Sequence, residues 1–268
     1  MVKNKPLLRS TPIKEKVSAK LILKMLEEAE EKNIMLNSIM IIRNGKVITE
    51  GYYKPYSECI ERSMHSATKS FTATAIGLLI DEGRLKLEDT VMSFFPEYAP
   101  ENPCDNLKKM NVWHLLTMTC GHDSVPPRKG TDNYVKQFLN HPVPYVPGTH
   151  FQYSSMASYM LTAIIRKVTG QNMTRYLRTR IFEPLGIYDA YCDTCPMGIE
   201  YGGGGLFLRT EDLAKLAGLY LNNGIWNGVR LLSESWVKEF TKMQFRDSWS
   251  HSNPTLKPDW YCGYGFQN

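Results

Sequence analysis

The chain has 268 residues and a mass of 30.7 kDa, which at roughly 150 residues per domain means one large domain or two small lobes. Hydrophobic residues make up 43% and charged residues 22%, the make-up of a globular protein, and this excludes a mainly disordered or fibrous chain. The net charge of +5 is too mild to suggest a nucleic-acid binder, and no apolar run approaches the ~18 residues of a membrane span.

Basic residues are concentrated at the start: Lys3, Lys5, Arg9, Lys14, Lys16, Lys20 and Lys24. They read as a solvated arm and helix face. No apolar stretch of a secretory signal follows them, so the expected compartment is the cytoplasm. The six cysteines (59, 104, 120, 192, 195 and 262) then read as free thiols. Cys192 and Cys195 form a C-x-x-C, but zinc needs two further ligands and no second pair exists. Pro196 and a glycine run follow it, which does not suit a redox dithiol at a helix start.

In chain order, residues 15–33 have the spacing of an amphipathic helix, with Leu21, Ile22, Met25, Leu26 and Ala29 on one face. Asn44-Gly45 between two β-rich runs predicts a hairpin. A helix is expected from Lys69 to Glu82, with Gly83 as its cap and an apolar stripe of Phe71, Ala75, Leu78 and Leu79. Residues 96–112 hold three prolines and read as a loop. Asn111 to Thr119 reads as a short helix. Residues 122–150 are irregular and rich in Pro and Gly, with one helical piece near Tyr134 to Leu139. Helices follow over Ser155 to Val168 and Thr174 to Phe182, the latter broken by Pro184. Tyr201 to Leu206 is a glycine run. Thr210 caps a helix that stops at Asn223-Gly224, Asn227-Gly228 is a turn, and Ser233 opens a last helix to about Met243. Tyr261 to Phe266 reads as the start of a strand. This order argues against a βαβ repeat and against an all-β protein. It suggests an α/β fold with an antiparallel sheet built from both chain ends, flanked by helices, and an inserted all-helical lobe.

Ser66-Ala67-Thr68-Lys69 is an S-x-x-K. Positions i and i+3 are neighbours on a helix, so the Lys69 amine can reach the Ser66 hydroxyl. A serine at a helix start feels the positive end of the dipole, and its own N–H can help hold an oxyanion. A desolvated lysine can lose its proton and act as a base. The motif occurs twice, at Ser66/Lys69 and at Ser235/Lys238, so alone it has no weight. Position separates the two copies. Tyr153-Ser154-Ser155 follows Ser66 by 87 residues, whereas Ser235 leaves no room for such a partner. Tyr220-Leu221-Asn222 also fits a Tyr-x-Asn pattern but falls inside an expected helix.

Taken with their surroundings, these segments resemble the class C β-lactamase-related serine hydrolases, a group that includes penicillin-binding proteins, esterases and 6-aminohexanoate-oligomer hydrolases. The likeness runs from about Ser38 to Phe266. It includes Ser63 to Phe71, Leu78 to Asp89, Trp113 to Gly121, Pro147-Gly148, Phe151 to Ser155, Gly203 to Leu206 and Tyr264 to Phe266. The resemblance implies a β-lactamase/transpeptidase-like fold in one domain. An α/β lobe would comprise about residues 1–80 and 196–268, a helical lobe about residues 81–195, and the site would lie between them. Ser66 resembles the acylated nucleophile, Lys69 the general base or its electrostatic partner, and Tyr153 the second member of the proton relay. Ser155, where class C β-lactamases usually have Asn, and Gly204 are the expected substrate-binding positions. Ser155 draws the likeness toward the amide-hydrolase and esterase branches.

The family's third motif, a Lys/His/Arg/Trp-x-Gly triplet, has no match after Met243, and the chain resembles a member missing its last strands and closing helix. The expected reaction is acyl transfer on a small ester, amide or cyclic amide, with no cofactor and no metal. The partner is a small-molecule substrate rather than nucleic acid or membrane, and an exposed sheet edge could pair copies of the chain. The alternative is a catalytically impaired relative that binds a ligand or partner through its cleft.

Overall fold

The computed structural model describes residues 6–127, 132–247 and 260–262. Three strands near the start form one sheet: β1 (Leu8–Arg9), β2 (Ser38–Arg43) and β3 (Lys46–Tyr52), in the order β1-β3-β2. Asn44 and Gly45 both take positive φ, 51° and 72°, the turn geometry that matches the twist of paired strands. The hairpin is antiparallel, Ser38 facing Tyr52 and Arg43 facing Lys46, with a bulge between Ile41 and Ile42. β1 adds to β3 in parallel.

Of the described basic residues at the start, Lys14, Lys16, Lys20 and Lys24 are exposed, as expected, and Arg9 is pinned. Arg9 pairs with Glu50 at 3.0 Å and with Glu211 at 2.8 Å, and Lys46 pairs with Glu15 at 2.8 Å. The first helix, α1 (Ala19–Glu31), starts later than its spacing suggested. The Ser18 side chain caps it by accepting from the Leu21 N–H.

β4 (Arg62–Ser63) leads through a 3₁₀ turn, His65–Ala67, into α2 (Thr68–Asp81). An apolar stripe understates α2, because it is buried all round, including Lys69, Ser70, Thr72 and Thr74. It packs against α7 (Ser155–Thr169), α8 (Met173–Leu177) and α11 (Glu234–Thr241). Gly77 makes the α11 contact possible, since a Cβ there would lie 2.1 Å from the Trp236 ring.

Between α2 and α7 come α3 (Val91–Phe94), α4 (Asp105–Lys109), α5 (Val112–Thr117) and α6 (Tyr134–Leu139). The expected loop at 96–112 thus contains a 3₁₀ turn, Pro96–Tyr98, and all of α4. Pro184 does not end the helical path at Phe182 either. A π turn, Arg178–Phe182, runs into α9 (Glu183–Leu185), where Pro184 sits in the first turn and its missing N–H is not needed.

β5 (Tyr191–Cys192) and β6 (Leu206–Leu208) join β4 in the order β4-β6-β5. The strand before Ser66 therefore lies beside the strand after the glycine run. In α10 (Thr210–Leu221) the N-cap position belongs to Arg209, not Thr210. The Thr210 hydroxyl instead meets Ser38 at 2.9 Å and ties α10 to β2. A small hairpin, β7 (Ile225–Trp226) and β8 (Val229–Arg230), precedes α11, and β9 (Phe245–Asp247) pairs with β10 (Trp260–Cys262). The expected continuation of that last strand, with Tyr264, lies outside the described residues. One buried cluster extends from Phe71 to Phe240 through helices and strands alike. Among the described residues no helix is long and apolar enough to cross a membrane.

Within the irregular stretch, His122 is only 1% exposed and neither ring nitrogen has a hydrogen-bond partner. It packs edge-on against Phe138 (4.8 Å) and His141 (5.2 Å). Burial, helped by His141, pushes its pKa down to about 4. The unfolded chain therefore takes up this proton first, and stability is intact above about pH 6.5 and lost as pH falls toward 4. The loss attributable to His122 by pH 4.5 should be about 2–3 kcal/mol. In His122→Phe, the drop in urea midpoint between pH 7 and pH 4.5 should be smaller by that amount. An unchanged drop would place the acid sensitivity elsewhere.

Candidate active site

The residue before Ser66, His65, has φ 45°, a left-handed conformation that a non-glycine residue adopts at some cost. Its N–H donates to the Ser63 hydroxyl at 3.3 Å. This kink turns the chain from β4 into α2 and leaves Ser66 exposed at the helix start. One turn on, Lys69 is only 3% exposed. Its amine donates to Ser66 Oγ at 3.1 Å, to Ser155 Oγ at 3.3 Å and to the Gly203 carbonyl. These three acceptors match the three donors of an ammonium. Burial lowers the Lys69 pKa, and the Tyr153 phenol partly offsets the shift. The amine lies 5.0 Å from the centre of the Tyr153 ring.

Tyr153 approaches from another element. Its ring packs on the buried pair Met118 and Phe151. The segment that carries it is clipped to the end of α5, Gln152 N–H to Met118 O at 3.0 Å and Gly148 N–H to Thr119 O at 2.8 Å. Its hydroxyl meets Ser66 Oγ at 2.5 Å. Ser154, not Ser155, caps α7, accepting from the Ala157 N–H at 3.3 Å. That division of labour leaves Ser155, the first residue of α7, free to face Lys69. Ser66, Lys69, Tyr153 and Ser155 thus converge.

The rival copy of the motif does not form a comparable cluster. Lys238 pairs with Glu234 at 2.7 Å, and the Ser235 hydroxyl bonds Ser233 at 3.0 Å. Tyr220 is buried in α10 and bonds Thr74 at 2.8 Å.

A cleft of about 420 Å³ opens above Ser66, lined by His65, Ser155, Tyr159, Asp193, Tyr201 and Gly203 to Gly205 among others. The glycines differ in their reasons. A Cβ on Gly203 would lie 2.6 Å from the Ser155 carbonyl oxygen, and one on Gly202 would lie 2.3 Å from Thr162. Gly204 lines the cleft as expected, but a Cβ there would meet nothing nearer than 3.8 Å. Its N–H is turned inward to Tyr201 O at 3.0 Å. Gly204 is the site residue expected from the glycine run, but it is the Gly203 carbonyl that holds Lys69. Tyr201 and Asp193 had no sequence signal beyond their place near that run, and Tyr159, in α7, had none. His122, His141 and His150 are not among the lining residues, and His150 stacks on Tyr145 at 4.1 Å. Cys192 and Cys195 are free thiols, and among the described residues no cluster of three or more His, Cys, Asp or Glu could hold a metal ion.

A hydroxyl, a buried amine and a phenol thus gather at the start of α2, beside the paired strands β4 and β6. The chain belongs to the Beta-lactamase family, whose model matches residues 37–267. It is 32% identical over 164 residues to Protein flp of Staphylococcus aureus (strain COL), covering 55% of this chain and 33% of that protein. It is 26% identical over 221 residues to the 6-aminohexanoate-dimer hydrolase of Paenarthrobacter ureafaciens, covering 75% of this chain and 56% of that protein. Its fold matches that of a penicillin-binding protein homologue from Caulobacter crescentus with a TM-score of 0.73 at 18% identity, over 98% of this chain and 83% of that one. The chain thus spans between a third and a little over half the length of these two curated relatives.

The steric contrast between neighbouring glycines can be measured. Gly203→Ala should lower stability by about 1–3 kcal/mol through overpacking against Ser155. Gly204→Ala should stay within about 0.5 kcal/mol of the parent in the same denaturant titration. Equal effects at both positions would refute the close approach at Gly203.

Proposed function

We propose that the protein is a serine hydrolase that forms an acyl-enzyme on Ser66 with a small ester, amide or cyclic amide, and then releases the acid to water. The observation that carries this reading is the convergence of Lys69 Nζ (3.1 Å) and Tyr153 OH (2.5 Å) on Ser66 Oγ. In the neutral amine, the Gly203 carbonyl and the Ser155 hydroxyl take the two N–H groups, which leaves the lone pair facing Ser66. Ser66 Oγ attacks the substrate carbonyl while its proton passes to Lys69, directly or through Tyr153. The leaving alkoxide or amine takes a proton back from the same relay. Water then attacks the acyl-enzyme by the reverse path and frees Ser66. The Ser66 N–H at the helix start is one donor to the oxyanion. Family membership supports the same reading, and so does the relative named 6-aminohexanoate-dimer hydrolase.

The compartment we infer is the cytoplasm, on Cys59, Cys104, Cys120, Cys192 and Cys195, which are free thiols. A second copy pairing along the outer edge of β2, where no described strand sits, is the partner we infer.

A fluorophosphonate or penicillin probe followed by intact-mass measurement should show one adduct, lost in Ser66→Ala. Lys69→Met and Tyr153→Phe should each slow acylation by about 10²–10⁴. Because burial lowers the Lys69 pKa, the neutral form is populated below the ordinary lysine range of about 10.4, and kcat/KM should rise with pH there. A folded chain that is never acylated would overturn the hydrolase reading in favour of a binding protein.

A further inference from the structure

The cleft above Ser66 has a charge asymmetry that acyl transfer does not use. Asp193 is the one carboxylate among its described lining residues, and no arginine or lysine stands beside it on the wall. Its residue is exposed, and among the described residues its carboxylate enters no hydrogen bond or ion pair. Its backbone, in contrast, is held on both sides. The Asp193 N–H donates to Gly205 O at 2.9 Å, and Asp193 O accepts from the Tyr201 N–H at 2.8 Å. Gly205 lets these segments close up: a Cβ there would lie 2.8 Å from Tyr201 Cβ and 3.3 Å from Asp193 Cβ. The backbone that bears the carboxylate is thus fixed at the cleft wall, and the carboxylate itself has no charge partner among the described residues.

The wall beside it is aromatic. Tyr159 and Tyr201 both line the cleft. With Tyr134 they form a cluster with ring centroids 5.7–6.2 Å apart. Such packing limits rotation of the rings. Tyr159 is fully buried behind the wall, and the half-buried Tyr201 is the ring the cleft can use. A carboxylate near an aromatic ring attracts a cation, including one too bulky to form many hydrogen bonds. An arm that carries its own carboxylate is repelled from the same place.

We propose that Asp193, with Tyr201, forms a subsite for a positively charged amine on the substrate, so that the preferred ester or amide carries an ammonium group. This rests on the hydrolase reading of the same cleft.

The test compares two isosteric p-nitrophenyl esters, of 4-(trimethylammonio)butanoic acid and of 5,5-dimethylhexanoic acid, which differ only in N⁺ against C. The kcat/KM ratio should favour the cationic ester about fivefold, the scale of one partly solvated ion pair plus a cation–π contact. High salt should shrink the ratio. In Asp193→Asn, which keeps size and shape, the ratio should fall to about one, and in Asp193→Lys it should invert. A wild-type ratio of one, or a ratio that survives Asp193→Asn, overturns the subsite. If no ester is turned over and Ser66 is never acylated, the hydrolase reading has failed, and the subsite is then read by NMR titration with the N-methylamides of the same two acids. Tighter binding of the cationic amide to wild type, lost in Asp193→Asn, upholds the subsite; equal binding to wild type overturns it.

Discussion

The burial of a single amine organises the site. Lys69 sits inside the molecule on a helix that is covered on every side, and its polar end is satisfied by three acceptors from three separate stretches of chain. A buried ammonium without partners would cost several kcal/mol. The partners therefore fix one another: Gly203 must approach Ser155 closely, Ser155 must yield capping to Ser154, and Ser66 must stand at the opening of α2. Desolvation disfavours the charged form, so the packing that holds the fold together also leaves more of the amine neutral and able to accept a proton. Stability and reactivity are coupled through one side chain.

The strands and helices around this point serve to bring remote segments together. β4 precedes Ser66 and β6 follows the glycine run, and their antiparallel pairing sets the Ser66 turn against the backbone that holds Lys69. α2 against α7 brings Ser155 to the same place. The core is continuous from Phe71 to Phe240, so these placements share one packed interior.

The helices and the first hairpin were legible in the sequence because their signals are local: periodicity, Asn44-Gly45, a serine before a run of apolar residues. The family motifs marked Ser66, Lys69 and Tyr153 because those side chains repeat at set spacings. What could not be read was set by tertiary packing. β1 depends on Arg9 meeting Glu50 and Glu211, far off along the chain. Residues 105–109 are helical despite the prolines before them, since Pro103 lies outside the first turn. Pro184 reads as a breaker, yet a first-turn position makes it harmless. Gly203 rather than Gly204 holds the lysine, a choice between identical residues that only steric surroundings can make. Asp193 carries no motif at all, and its position is set by two backbone hydrogen bonds.

The alcohol and the amine ride together on α2, but the phenol does not. Tyr153 is borne by a loop fastened to Met118 and Thr119, a separate anchorage on the far bank of the crevice. A drift of one ångström between the two banks breaks a 2.5 Å contact while leaving the packed interior untouched. The loop's grip, rather than the cohesion of the core, is therefore what holds the phenol against the alcohol.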